Sequence, residues 1–291
     1  MTNRSDIRRA RVLAGCLLIG LVAAGCSSSY QYRWNYFFDS ILRPDGFILS
    51  GLWLTVSISI VSQVIGVVLG IFGALGKLAR RRPIRWLANL YVWFFRGTPL
   101  LVQISFLFFG LGVSGIYTWP TINILGLEIA GAVQAGIFAL GLNEGAYMTE
   151  IVRAGIISID QGQLEAAKSL GMTYGQAMRR VILPQAARVI VPPLGNEFNN
   201  MLKTTSLLVI ISVPELYVVF SRKQGNTFAP FEYFLAAAVW YLLLTTIWTI
   251  IQSRIETRLG RGVGGERPPS LRERLLGGRS AVEPRLDGGG H

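Results

Sequence analysis

The sequence predicts an all-α membrane protein with several spans, and three observations support this fold class. Of the 291 residues, 51% are hydrophobic and only 15% are charged, whereas about 25% of the residues of a soluble domain are charged. Most of the basic residues flank long segments that carry no charge. A helix needs about 20 apolar residues to cross a bilayer, and most of the uncharged segments reach that length. They are residues 47–76, 97–127, 129–143 and 233–253.

Residues 1–26 resemble a signal peptide or a signal anchor. A basic start precedes a 14-residue apolar core from Val12 to Gly25, which is short for a full span. The run Ala23-Ala24-Gly25-Cys26 is similar to the cleavage box of a bacterial lipoprotein, although such a box usually carries Leu in place of Ala23. Two alternatives therefore stay open: cleavage with lipidation of Cys26, or an uncleaved anchor rich in small residues. In both cases, residues 27–46 form an external segment.

The first core span is predicted over residues 47–76. Thirty helical residues are about 45 Å long, so this helix must tilt or begin outside the bilayer. A cluster of basic residues follows and marks the cytoplasmic side under the positive-inside rule; it contains Lys77, Arg80, Arg81, Arg82 and Arg85. The aromatic-rich stretch from Ile84 to Phe95 predicts an interfacial elbow helix that ends at Arg96. A second span is expected from about Pro99 to Trp119.

Residues 113–127 lack Lys and Arg, as expected of an external loop, and a third span is predicted from Glu128 to about Thr149. The segment from Val189 to Phe220 has a polar middle, which must face protein, a cavity or the cytoplasm because polar groups are not tolerated against lipid. Tyr233 to Ser253 is the last of five predicted core spans. Residues 259–291 are rich in Gly, Pro and Arg and predict a disordered basic cytoplasmic tail.

The charge and composition also exclude several function classes. The net charge of +12 comes mainly from basic residues beside the predicted spans. Nucleic acid is therefore not an expected partner, and membrane lipids are expected partners. Both cysteines, Cys16 and Cys26, lie in the first apolar stretch, and the only histidine is His291. No metal site and no catalytic residue are therefore predicted.

The most informative segment is the loop of residues 161–184 between the third and fourth core spans. It contains Glu165, Ala166 and Ala167, then Gly171, and nine residues later Val181-Ile182-Leu183-Pro184. This pattern predicts a short helix with small residues, a turn at the glycine, and a second helical piece that the proline ends. An exposed helix of this kind suits docking into a groove of a partner protein.

The loop resembles the signature loop of permease subunits of bacterial ABC importers, and Val181 in place of Ile is its only departure. Three further motifs are similar to the polar amino acid permeases of the histidine and glutamine type, and the resemblance covers about residues 47–258. These motifs are Arg96 to Gln103, Leu142 to Tyr147, and Pro192 to Asn196 with Lys203 to Leu207. The resemblance implies the transmembrane fold of a type I ABC importer, in a multi-pass protein of the bacterial cytoplasmic membrane with a cytoplasmic C-terminus.

The resemblance also implies partners and a coupling site. The loop would dock into a cytoplasmic ATPase dimer, a second identical or homologous permease subunit would complete the pathway, and an extracytoplasmic substrate-binding protein would deliver the amino acid. ATP and Mg²⁺ would be used by the ATPase, and no cofactor would be bound by this chain. The implied coupling residues are Glu165, Ala166, Ala167, Gly171, Leu183 and Pro184.

Ionisable groups inside spans are candidates for function because their burial is costly. A zwitterionic amino acid needs donors for its carboxylate and an acceptor for its ammonium group, and Glu144 or Glu197 can supply the acceptor. The competing interpretation is that Glu197 and Lys203 pair within the protein, while Arg96 extends to the interface. The candidate pathway residues are Asn143, Glu144, Tyr147, Asn196, Glu197, Thr205 and Ser206.

The function predicted from the sequence is therefore the permease subunit of an ATP-driven amino acid importer, without a nucleotide-binding site of its own. The nearest approach to a P-loop, at Gly76-Lys77, has Ile71 at the first glycine position and Leu78 after the lysine. The alternative from another class is an ATP-independent secondary transporter or channel. The sequence does not identify which amino acid is carried.

Overall fold

The computed structural model describes residues 30–124 and 126–260. The signal-like segment with Cys26 and most of the predicted tail lie outside the described residues. The described part is mostly helical, which confirms the predicted fold class. Its α-helices are α1 (Trp34–Leu42), α2 (Gly46–Leu78), α3 (Arg82–Gly97), α4 (Leu100–Val113), α5 (Gly131–Ile157), α6 (Gln161–Ser169), α7 (Tyr174–Ala177), α8 (Leu183–Thr204), α9 (Leu216–Thr227) and α10 (Pro230–Gly260).

Three irregular turns and one hairpin complete these elements. π-Helical turns cover Phe106–Gly110 inside α4 and Met178–Ile182 before α8, and a 3₁₀-helix covers Thr205–Ile211. Strands β1 (Ile122–Ile124) and β2 (Leu127–Ile129) pair antiparallel. Glu128, where the third span was predicted to begin, is therefore in a hairpin, and the helix starts at Gly131.

Two helices of the described part are long and apolar enough to cross a membrane: α2, with 33 residues, and Pro230–Leu259 of α10, with 30. Two more spans result if each strongly bent pair counts as one, namely α3 with α4, bent by 103°, and Tyr174–Ile211 with α9, bent by 51°. The 27 residues of α5 extend over about 40 Å, but glycines and polar side chains lower their hydropathy. The count of five core spans stays a prediction.

The most extensive helix contact in the described part joins α2 and α5, which run side by side in the same direction. Glycines of α2 permit this close approach, since a Cβ added at Gly66 would lie 2.8 Å from the Glu144 Cβ and one added at Gly70 would lie 2.9 Å from the Met148 carbonyl carbon. Small residues let helices pack closely where no hydrophobic effect draws them together in lipid. The α2–α5 pair therefore fixes the centre of the bundle.

A second core joins α9 and α10 to the start of α2. Ile48 of α2 packs with Phe220 of α9 and Ala236 of α10, and α1 covers this core from outside. At this end of the bundle, Lys223 forms an ion pair with Asp45, the N-cap of α2, at 2.5 Å. We call this end of the bundle the Asp45 end. The opposite end, where α2 finishes at Leu78 before Arg80 and Arg81, is called the basic end.

Candidate functional site

A cleft of about 500 Å³ opens between α4, α5 and α8. This volume falls within the usual range for small-molecule sites. Four of the seven predicted pathway residues line it: Asn143, Glu144, Tyr147 and Glu197. The other lining residues are Leu100, Leu140, Asn200, Met201, Lys203 and Thr204.

Glu144 lies at the middle of α5, with thirteen residues between it and each end of the helix. It is only 6% exposed, and its carboxylate accepts a hydrogen bond of 3.1 Å from the Gln63 Nε2 of α2. Gly66 leaves the space that the glutamate side chain occupies. At 1.5 Å per residue, the carboxylate is about 20 Å from either end of α5, so the cleft reaches to mid-helix depth.

Asn143 lines the cleft and also forms hydrogen bonds that stabilise the bend between α3 and α4. Its Nδ2 donates to the Phe95 carbonyl at 2.9 Å and to the Gln103 Oε1 at 3.1 Å. Gln103 is buried and donates in turn to the Phe95 and Thr98 carbonyls. These bonds satisfy backbone groups freed at the sharp bend between α3 and α4. Both donor hydrogens of Asn143 are thus engaged.

Tyr147 lies one helical turn beyond Asn143 and is 37% exposed. The guanidinium carbon of Arg96 lies 5.1 Å from the centre of the Tyr147 ring, which is a cation–π distance. Arg96, at the end of α3, is therefore held beside the cleft by an aromatic wall residue.

The charged groups of the cleft are two carboxylates, Glu144 and Glu197, and one ammonium group, that of Lys203. Among the ion pairs of the described residues, none joins Glu197 to Lys203. The interpretation that these two residues neutralise each other is therefore not supported. Both signs of charge are presented to the same space.

Asn196, Thr205 and Ser206 do not line this cleft. The Asn196 Oδ1 accepts a hydrogen bond from Gln252 of α10 at 3.1 Å. Thr205 is buried and donates to the Leu202 carbonyl, while Ser206 lines a separate, mainly apolar cleft beside Tyr217 and Phe234. Asn196 lies on the side of α8 that faces α10, whereas Thr205 and Ser206 follow the end of the regular α8 helix at Thr204.

The loop of residues 161–184 folds into α6, a turn, α7 and a π-helical turn. Asp160 caps α6 by accepting from the Gly162 N–H at 2.6 Å, and Thr173 and Gln176 form a capping box at the start of α7. Gly171 has φ +78°, which L-residues adopt at a cost of about 1–2 kcal/mol. The glycine thus sets the turn between the two helices, as the sequence predicted.

Most, but not all, of the predicted coupling residues are exposed. Glu165, Ala166 and Gly171 are exposed, whereas Ala167 is 3% exposed and packs inside the loop. Leu183 and Pro184 are also exposed, but they are the first two residues of α8. The prediction that Pro184 ends a helix is wrong, because the π-helical turn Met178–Ile182 leads directly into α8 and the helix continues through the proline. Proline has no N–H to donate to the preceding turn, and the helix departs from regular α geometry just before it.

The loop is tied to α2 through the basic end of α5. Glu150 pairs with Lys77 of α2 and with Arg153, whose NH2 is 2.9 Å from the Glu150 Oε2. These groups are partly buried, so their attraction is screened less than that of exposed pairs. Four residues after α5 ends at Ile157, α6 begins at Gln161.

Several polar residues of the bundle were missed at the sequence level. Gln63 supports Glu144, and Gln103 holds the α3–α4 bend. Buried Glu215 caps α9 and accepts hydrogen bonds from the hydroxyls of Tyr241, at 2.8 Å, and Thr55, at 3.3 Å. A polar residue inside an uncharged apolar segment was the available signal for Gln63 and Gln103. Their roles depend on neighbours that only the fold brings together.

Comparison with known proteins gives a consistent result. The family model described as "Binding-protein-dependent transport system inner membrane component" matches residues 66–261. The arginine transport system permease protein ArgU of Corynebacterium glutamicum is 35% identical over 266 residues, which are 87% of this chain and 81% of ArgU. The L-cystine transport system permease protein TcyB of Bacillus subtilis is 38% identical, over 74% of this chain and 88% of TcyB.

A solved structure agrees with these relatives. The crystal structure of an amino acid ABC transporter with histidines contains a chain 39% identical to this one, with a TM-score of 0.67. The match covers 76% of this chain and 98% of that chain. The relatives are therefore matched over most of their own length.

Proposed function

The chain belongs to the family of binding-protein-dependent transport system inner membrane components, and from this premise we propose that it forms the translocation pathway of an ATP-driven amino acid importer. The relatives that are 35% and 38% identical to it over the matched regions are named permease proteins for arginine and L-cystine. The observation that carries the proposal is a cleft at mid-helix depth whose walls hold two carboxylates and one ammonium group.

The charges of the cleft match an amino acid substrate. An α-amino acid carries an ammonium and a carboxylate group, and each needs a partner of opposite charge or a hydrogen bond when it leaves water. Glu144 and Glu197 are acceptors for the ammonium group, and Lys203 is a donor for the carboxylate. Asn143 and Tyr147 complete the polar wall beside the apolar Leu140 and Met201.

The loop at the basic end is the proposed contact with the ATPase. Its exposed residues Glu165, Ala166 and Gly171 form the contact surface, and Ala167 shapes the loop from inside. Leu183 and Pro184, at the start of α8, border that surface. ATP and Mg²⁺ act in the ATPase dimer, so this chain needs neither a nucleotide site nor a cofactor.

The remaining proposed partners follow from the same assignment. The basic end faces the cytoplasm, in keeping with the positive-inside rule, and the Asp45 end faces the substrate-binding protein. A second permease subunit, identical or homologous, completes the pathway beside this cleft. The C-terminal tail then lies in the cytoplasm.

Reconstitution tests the proposal against the secondary-transporter alternative. The chain is purified together with its ATPase and binding protein, isolated with it from the native membrane, and placed in liposomes. We expect amino acid uptake that requires both ATP and the binding protein, with ATP hydrolysis stimulated by the loaded binding protein. Uptake by the chain alone, without ATP, would show a secondary transporter or channel instead.

Glu144→Gln is expected to weaken transport strongly while the fold is kept. The amide oxygen of Gln still accepts the hydrogen bond from Gln63, but the charge that meets the substrate ammonium is lost. A hydrogen bond to a charged group contributes about 1.5–3 kcal/mol, so the apparent KM for uptake should rise about ten- to hundredfold. Glu128→Gln, in the hairpin outside the cleft, is the control. An unchanged KM and rate for Glu144→Gln would remove Glu144 from the pathway.

Cys26 is proposed as either a lipidation site or part of an uncleaved anchor. Mass spectrometry of the mature N-terminus separates the two. A diacylglyceryl group on an N-terminal Cys26 identifies a lipoprotein signal, and an intact Met1 identifies an anchor.

A further inference from the structure

The first helix, α1, packs against the bundle along one side. Phe37 and Ile41 lie on the core that α9 and α10 form. Ser40 is buried, and its carbonyl accepts a hydrogen bond of 3.1 Å from the Trp240 Nε1. This side of α1 is fully used by contacts within the chain.

The other residues of α1 form two further faces of different character. Trp34, Phe38 and Leu42 are spaced by four residues, so they form one line along the helix, and they are 45%, 52% and 74% exposed. We call them the outer strip. Asn35 and Asp39 are exposed on the neighbouring polar face. Thus α1 has a packed face, an apolar exposed face and a polar exposed face.

The outer strip continues the outward side of α10. The rings of Trp34 and Phe231 are 5.9 Å apart and meet edge to face. From Phe231, the exposed residues Leu235 and Leu242 continue along α10, which is one of the two helices that meet the criteria for a span. Nothing in the described part of this chain covers that side of α10, and the strip adjoins it directly.

Hydrogen bonds at its start hold α1 in one orientation. Buried Glu232 of α10 accepts from the Arg33 backbone N–H at 2.5 Å and from the Tyr30 hydroxyl. The Arg33 guanidinium also donates to the Thr227 and Phe228 carbonyls at the end of α9. The outer strip is therefore directed outward before any partner binds.

We propose that the outer strip inserts into lipid, so that α1 anchors the Asp45 end of the bundle at the membrane–water boundary. An interfacial helix needs an apolar face for the acyl region and a polar face for the headgroups, and α1 has both beside its packed face. Trp and Tyr are enriched at this depth, where Trp34 and Tyr32 stack with ring centres 5.9 Å apart. The outer strip suits a protein partner less well than it suits lipid. A stable protein interface buries about 800 Å² on each partner, and the three side chains of the strip offer less area than that.

Spin labels placed on both exposed faces test the proposal in the complete transport complex. Single cysteines are introduced as Phe38→Cys and Leu42→Cys on the outer strip, with Asn35→Cys and Asp39→Cys as matched controls on the same helix. The background carries Cys16→Ser and Cys26→Ser, so any insertion comes from α1 and not from an acyl chain. Collisions are measured in liposomes with oxygen, which concentrates in lipid, and with a nickel chelate, which stays in water.

We expect the labels on the two faces to show opposite preferences for oxygen and the nickel chelate. Labels at residues 38 and 42 should collide more often with oxygen than with the nickel chelate, and labels at residues 35 and 39 should show the opposite preference. Nickel accessibility at residues 38 and 42 equal to that of the controls would place the strip in water. Immobile labels shielded from both reagents would place it under a second copy or another protein, and either outcome would overturn the proposal.

Discussion

Glu165→Lys is expected to abolish substrate-stimulated ATP hydrolysis and transport while leaving the permease folded. Glu165 is exposed on α6, and its carboxylate forms none of the ion pairs among the described residues. Reversal of its charge therefore disturbs no contact that holds the loop together. If α6 seats in the ATPase, the new charge meets a surface that fits a carboxylate, and a like-charge contact at an interface costs several kcal/mol. A loss of at least about a hundredfold in stimulated hydrolysis corresponds to that cost.

The control for this change is Glu128→Lys, which reverses the charge of another exposed glutamate, in the hairpin. ATP hydrolysis is measured with and without the loaded binding protein, and co-purification of the ATPase is measured on the same samples. The loop assignment would fail if Glu165→Lys kept full stimulation. Normal insertion of both variants, seen as monodisperse protein, shows that the fold is intact.

Gly70→Leu is expected to prevent assembly of the bundle. Even a Cβ at this position would lie 2.9 Å from the Met148 carbonyl carbon and 3.1 Å from its Cα, and backbone atoms cannot turn aside as a flexible side chain can. The larger leucine would force α2 away from α5 and break the most extensive helix contact of the described part. Overpacking of this kind costs about 3 kcal/mol or more, a large fraction of the roughly 5–15 kcal/mol by which proteins are stable.

Gly46→Leu is the matched control, because it changes a glycine of the same helix that has no neighbour within 4 Å of an added Cβ. Yield of monodisperse protein from membranes and the Tm of the purified complex are compared for both variants. The control should match the unmodified chain, and Gly70→Leu should give little or no monodisperse protein. Equal yield and Tm for both variants would contradict the close packing of α2 against α5.

The sequence allowed most of the helices to be predicted, because charge placement and apolar length determine where a chain can cross a membrane. The third span was predicted where α5 lies, although glycines and polar side chains weaken its apolar signal. Its bounds were less well predicted, since the helix covers Gly131–Ile157. The predicted helix start at Glu128 was wrong, because this residue lies in β2, which pairs with β1 in a hairpin.

The candidate site was predictable only in part, for a related reason. Asn143, Glu144 and Tyr147 stand out because they are polar residues on one helix, and helical spacing puts them near one another. Asn196 and Glu197 are adjacent in the sequence, but one turns to Gln252 and the other to the cleft. Which side of α8 faces α10 is decided by tertiary packing, and one residue more or less changes the direction by about 100°.

The position of α5 has a mechanical consequence. The helix holds Glu144 at its middle and is joined to α6 by only a few residues. The glycines of α2 let it pack closely along α5, and Lys77 of α2 pairs with Glu150 near the end of α5. If the ATPase moves α6 as proposed, the three residues between the two helices leave little slack, and we expect the displacement to reach α5, whose middle lies about 20 Å from its end. A tilt of α5 together with α2 would then shift Glu144 relative to α8 and change the width of the cleft.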